Sequence, residues 1–92
     1  MYRYRITVEA LREDGQAQKL QFEATNHDDL FAVVPRIEGR FDYMTADEAK
    51  AFAVGLKLFG ETVLHHREQP IFQSIKNALG DFMRELKSQV KK

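Results

Sequence analysis

The three histidines and the carboxylates near them are the residues of this chain best suited to chemistry. They fall in two places, His27-Asp28-Asp29 and Glu61 with His65-His66. A histidine beside carboxylates has the composition of a general acid–base pair. Glu61 and His65, at four-residue spacing, share one face of a helix and could supply two ligands to a divalent cation. His65 and His66 point about 100° apart on a helix, so they cannot chelate one ion side by side. A stable zinc site needs at least a third protein ligand, and none is signalled. The bland alternatives are complete: Asp28 and Asp29 suit a helix start, and His65 and His66 suit an exposed or half-buried helix end. Ser74 and Ser88 lie on an expected helix, outside any glycine-flanked nucleophile elbow. Gly15 is isolated, and Gly55 and Gly60 fall inside a helical pattern, so no phosphate-cradling loop exists. No catalytic residue, metal site or cofactor is expected.

One surface feature remains. Tyr2-Arg3-Tyr4-Arg5 interleaves aromatics with arginines, the chemistry of a single-stranded RNA platform. Strand alternation nevertheless puts tyrosines and arginines on opposite faces, with the tyrosines on the apolar side. Arg5 is expected to pair with Glu23. Nucleic acid is therefore the least favoured partner, helped only slightly by Lys87, Lys91 and Lys92 near the end of the chain.

The elements that must position these residues follow from a change of period. From Tyr2 to Ala24 the apolar residues alternate, and from Thr25 onward they recur at three and four. The first stretch reads as one hairpin. A two-residue Asp14-Gly15 loop would pair Val8 with Gln21 and Thr7 with Phe22, apolar against polar. A three-residue loop, Glu13-Asp14-Gly15, puts Gly15 where a left-handed residue is wanted. It pairs Tyr4 with Ala24, Ile6 with Phe22 and Val8 with Leu20 on the inner face. On the outer face it sets Arg5 against Glu23 and Glu9 against Lys19, each such pair contributing about 0.2–1 kcal/mol.

Helices follow. Asn26 is the expected N-cap of the first, with aspartates in its first turn and Leu30, Val33, Val34 and Ile37 as its stripe. Pro35 should kink that helix or end it near Val34. Gly39 to Met44 is a connector whose aromatics, Phe41 and Tyr43, are expected to pin it to the core, although their spacing alone suits core and surface equally. Thr45-Ala46-Asp47-Glu48 is a capping box opening a helix that runs to about Arg67, with Phe52, Ala53, Leu56, Phe59, Val63 and Leu64 as its stripe. Gly55 and Gly60, inside it, imply a close-packed neighbour. Pro70 opens a last helix striped by Phe72, Ile75, Leu79, Phe82, Met83, Leu86 and Val90, with Gly80 again suggesting tight packing or a bend.

Composition narrows the function classes. Ninety-two residues suit one domain, 1–92, with a single small core. The 14 basic and 14 acidic side chains cancel, so no net field draws the chain to nucleic acid or a membrane. Hydrophobic content of 43%, with seven Phe and three Tyr, argues for a packed core. The absence of cysteine excludes disulfides and thiolate chemistry and is compatible with a reducing compartment. No segment reads as a signal peptide or reaches the length of a bilayer span. A cytoplasmic protein is expected.

The opening Tyr2-Arg3-Tyr4-Arg5-Ile6-Thr7-Val8-Glu9, the central Ala53-Val54-Gly55-Leu56-Lys57-Leu58-Phe59 and the stretch from Phe72 to Lys87 together resemble a small bacterial family of uncharacterised proteins, a domain of unknown function. The resemblance covers nearly the whole chain. It implies a free-standing bacterial protein of this length and carries no activity, ligand or catalytic residue.

The expected fold is thus α+β: an N-terminal antiparallel hairpin followed by three helices packed on one face. A lone two-stranded sheet is marginally stable and leaves both edges open. The expected function is therefore a non-enzymatic interaction module that self-associates as a homodimer, with Tyr2, Arg3, Tyr4 and Arg5 as candidate interface. One alternative is a small-ligand binder or enzyme with a pocket between hairpin and helices, lined by Tyr43, Glu61 and His65. The other is single-stranded RNA binding through the N-terminal strand.

Overall fold

Alternation and turn chemistry build the first element as expected. The computed structural model describes residues 1–90, so Lys91 and Lys92 of the expected basic tail lie outside the described residues. β1 (Tyr2–Glu9) and β2 (Lys19–Asn26) form a two-stranded antiparallel sheet. Its register pairs Tyr4 with Ala24, Ile6 with Phe22 and Val8 with Leu20, the one that parity selected. Gly15 sits at φ 77° and its N–H reaches the Arg12 carbonyl at 3.4 Å, the left-handed residue the loop required. Lys19 and Glu9 pair at 3.9 Å. Glu23, however, pairs with Arg3 at 2.8 Å and not with Arg5, its partner in the register. Strand twist brings diagonal neighbours within reach of a long arginine.

The first helix differs at both ends from its sequence signals. α1 spans Leu30–Ile37 and is capped by Asp29, whose carboxylate accepts the Phe31 N–H at 3.0 Å. Asn26 is instead the last residue of β2 and is 1% exposed. Pro35 does not end the helix. Ile37, buried against Ala49 and Ala53, holds the last turn in place, and the Glu38 N–H closes it on the Val34 carbonyl at 3.0 Å.

α2 (Ala46–His65) starts at the capping box, with Thr45 accepting the Glu48 N–H at 3.1 Å, and stops two residues short of Arg67. Its buried positions are Ala49, Ala53, Glu61 and Val63, whereas Phe59 and Leu64 of the expected stripe are exposed. No neighbour packs against Gly55 or Gly60: a β-carbon added at either would meet nothing within 4 Å. At Gly80 it would meet only the flexible end of Arg84, at 3.8 Å.

The last helical stretch is divided, giving four helices in place of three. α3 (Pro70–Gln73) opens at Pro70, and α4 runs from Lys76 to Val90. Between them the Ser74 hydroxyl donates to the Ile71 carbonyl at 2.6 Å, and the Ile75 N–H takes the Phe72 carbonyl at 3.3 Å. Local bonding of this kind competes with α-helical continuation.

Ile37, Ala49 and Ala53 form the core, with Val33, Val34, Phe41, Met44, Phe52 and Val90 packed around them. Phe41 is thereby a core residue, edge-on to Phe52 at 6.2 Å, whereas Tyr43 is 75% exposed and leans on Phe41. The helices pack chiefly on one another. They reach the apolar face of the sheet at one end, where Tyr4, Ile6 and Ala24 are half-buried. At the other end Val8, Leu20 and Phe22 are 54%, 58% and 43% exposed.

Candidate functional site: a carboxylate between two histidines

The junction of β2, α1 and α2 gathers most of the chemistry-bearing side chains. Helical spacing puts Lys57, Glu61 and His65 along one face of α2. The turn after β2 presents Asn26, His27 and Asp28 to that face. Glu61 has a side chain only 8% exposed, and both of its oxygens are taken. Oε1 accepts the His27 ring Nδ1 at 2.7 Å and the His27 backbone N–H at 3.2 Å. Oε2 accepts His65 Nε2 at 2.7 Å. An ionised carboxylate only accepts, so each histidine donates to it.

A second set of bonds runs alongside. Lys57 donates to Asp28, and His27 Nε2 lies 3.6 Å from the same carboxylate oxygen. The Asn26 amide donates to the Lys57 carbonyl at 2.9 Å, and its oxygen accepts the Asp28 N–H at 3.0 Å. From β1, the Tyr4 hydroxyl accepts the Leu30 N–H at 2.9 Å and donates to the Asp28 carbonyl at 3.4 Å. Polar contacts thus tie β1 to the start of α1, and the end of β2 with its following turn to α2.

The electrostatics agree with ionised carboxylates. Burial pushes the Glu61 carboxyl up, but the side-chain and backbone bonds from His27 and the bond from His65 outweigh it and hold the group below its ordinary value. The Lys57 hydrogen bond, joined by its charge, lowers Asp28 against a smaller opposing effect of burial.

Chemically, this arrangement holds charge in place. Glu61 Oε1 accepts two bonds and Oε2 one, so the carboxylate orients both histidines. Among the described residues no group of three or more His, Cys, Asp or Glu side chains could hold a metal ion. Each histidine nitrogen nearest Glu61 bonds the carboxylate, in the position a cation would need.

Of the residues named from sequence, Glu61 and His65 come together, and they line a depression of about 320 Å³ with Phe22, Leu58 and Thr62. Tyr43 is elsewhere: it borders a separate depression of about 510 Å³ with Phe41, Phe52 and Phe82. Tyr2 and Arg3 are exposed on β1, Tyr4 turns inward, and Arg5 is exposed with no ion pair among the described residues. Lys57 and Asn26 went unrecognised as members of the site. The four-residue spacing of Lys57, Glu61 and His65 was the signal for the first, and nothing local marks Asn26 as more than a capping residue.

A family model described as a domain of unknown function with solved structure, DUF3861, matches residues 2–88. The chain belongs to the DUF3861 family. A crystal structure of a protein of unknown function from Pectobacterium atrosepticum is similar to this DUF3861 chain, at 38% identity and a TM-score of 0.78. The likeness covers 95% of this chain and 97% of that one. No curated protein matches the DUF3861 chain. No helix among the described residues is long and apolar enough to cross a membrane.

Proposed function

We propose that this DUF3861 chain is a non-enzymatic interaction module that self-associates as a homodimer. One observation carries the reading: the chain exposes 7334 Å², against roughly 5,500 Å² for a folded monomer of its mass. The surplus of about 1,800 Å² exceeds the ~800 Å² that one partner buries in a standard interface. Its radius of gyration, 15.3 Å, likewise exceeds the roughly 12 Å of a compact chain of this length. Val8, Leu20 and Phe22 stand on uncovered sheet, and Phe59, Leu64 and Ile71 on uncovered helix. The interface is placed on the N-terminal strand, at Tyr2, Arg3, Tyr4 and Arg5. A bacterial, cytoplasmic setting is supported by the bacterial relative and suits a chain without cysteine. Analytical ultracentrifugation at micromolar concentration tests the proposal. A dimer is expected, and a monomer throughout that range overturns it.

A second reading, binding of a small apolar ligand, is favoured by a groove of about 790 Å³ between α1, α2 and α4. Val33, Ile37, Leu56 and Met83 line it. Its volume falls within the range of ligand pockets. A thermal-shift screen of metabolites tests it, and a screen without any stabilising compound counts against it.

A further inference from the structure

We infer that two copies pair through the free edge of β1, antiparallel about a two-fold axis that passes beside Ile6. The inference rests on the self-association reading and specifies its edge and register. Ala10 donates to the Gln18 carbonyl at 2.9 Å, continuing the ladder of β1 on β2. Even-numbered residues of β1 therefore bond β2, while Arg3, Arg5, Thr7 and Glu9 turn their backbone N–H and C=O toward the open edge. At the edge of β2, by contrast, Glu23 and Thr25 line a depression with Leu58, Thr62 and His66, so a strand added there would have to fit beside the helical layer.

Parity and charge then choose the register. The apolar side chains of β1 are all even-numbered, so a second copy keeps one apolar face only if even residues oppose even residues. With both strands identical and antiparallel, that condition puts one residue on the axis. An axis at Arg5 sets its guanidinium against its own copy, which like-charge repulsion disfavours. An axis at Thr7 leaves Tyr2 and Arg3 without partners. An axis at Ile6 engages the whole strand. Ile6 then meets the partner's Ile6, Tyr4 meets the partner's Val8, and Arg3 meets the partner's Glu9 with opposite charge. Arg5 and the partner's Thr7 exchange backbone bonds, and a continuous four-stranded sheet results. Val8, 54% exposed in a single copy, gains the partner's Tyr4 as a directly opposed neighbour.

The chain's lack of cysteine makes the register directly readable. Opposed residues that do not exchange backbone bonds lie about 4.5 Å apart at Cα, within disulfide range. Ile6→Cys, Arg5→Cys and Thr7→Cys are each oxidised at micromolar concentration and run on a non-reducing gel. Covalent dimer is expected from Ile6→Cys alone, and preferential cross-linking at residue 5 or 7 overturns the register. Thr7→Pro, on the exposed face, removes one edge N–H per copy and leaves the backbone ladder to β2 intact; it also gives up the bond from the Gln21 amide to the Thr7 hydroxyl at 3.1 Å, which Thr7→Val removes by itself as the control. Thr7→Pro should weaken dimerisation about tenfold or more with an unchanged far-UV circular dichroism spectrum. If wild type is dimeric, yet no cysteine cross-links and Thr7→Pro remains equally dimeric, the edge assignment falls while self-association stands. If wild type is monomeric, both fall together.

Discussion

Glu61 holds His27 twice, through the ring Nδ1 at 2.7 Å and through the backbone N–H at 3.2 Å, with a single carboxylate oxygen. This clamp joins the end of the hairpin to the C-terminal part of α2 across thirty-four residues of sequence. Its other oxygen bonds His65, one turn further along α2.

Glu61→Gln keeps the shape of the side chain but replaces one acceptor oxygen with a donor. One histidine contact is lost and a buried polar group is left poorly matched, a cost of about 1–3 kcal/mol. Urea denaturation should show a lowered midpoint with an unchanged slope. A midpoint equal to wild type would mean that the clamp carries no stability.

Stability should fall in acid through the same group. Glu61 and Asp28 both have carboxyls held below their ordinary values of 4.5 and 3.8. Carboxyls lowered in the folded state contribute their full stability above those unfolded values. That contribution is lost as pH drops through the folded pKa. Thermal melts between neutral pH and pH 3 should therefore show a declining Tm, with a shallower decline in Glu61→Gln.

Asn26→Ala should cost about 2–3 kcal/mol. The side chain is 1% exposed, and its removal takes away a second bond to the Lys57 carbonyl, leaves the Asp28 N–H without its acceptor and opens a cavity at the same time. Were Asn26 only an N-cap, the loss would be nearer 1 kcal/mol. Equilibrium unfolding distinguishes the two magnitudes.

Gly55→Ala should stabilise the protein by about 0.5–1 kcal/mol. The residue lies inside α2, is exposed, and has open space where a methyl group would go. A close-packed neighbour would instead make the substitution costly. A rise in Tm on this single change decides between them.

Local signals were sufficient wherever the deciding contacts are close in sequence. The hairpin register was legible because a shift of one residue would have turned Phe22 and Leu20 to the polar face. The Thr45 cap was legible because its partner, Glu48, is three residues away. Asn26 departs from its local signal for the complementary reason. Its residue type suits a cap, but the Lys57 carbonyl that claims it is thirty-one residues distant. Gly55 and Gly60 have open space where close packing is expected, because a glycine in a helix records the two identically. The division after Gln73 was hidden because the apolar period continues through Ser74, whose hydroxyl turns back on the chain.

Amino-acid order alone determined the α+β class, the strand pairing, the glycine turn and the capped start of α2, since each depends on periods and bonds spanning a few residues. Tertiary structure decided that Glu61 is buried between two histidines, that Tyr43 stands apart from them, and that half of the hairpin's apolar face is left bare. Those outcomes depend on where α2 crosses the sheet, and that crossing is settled by long-range burial that no local pattern encodes.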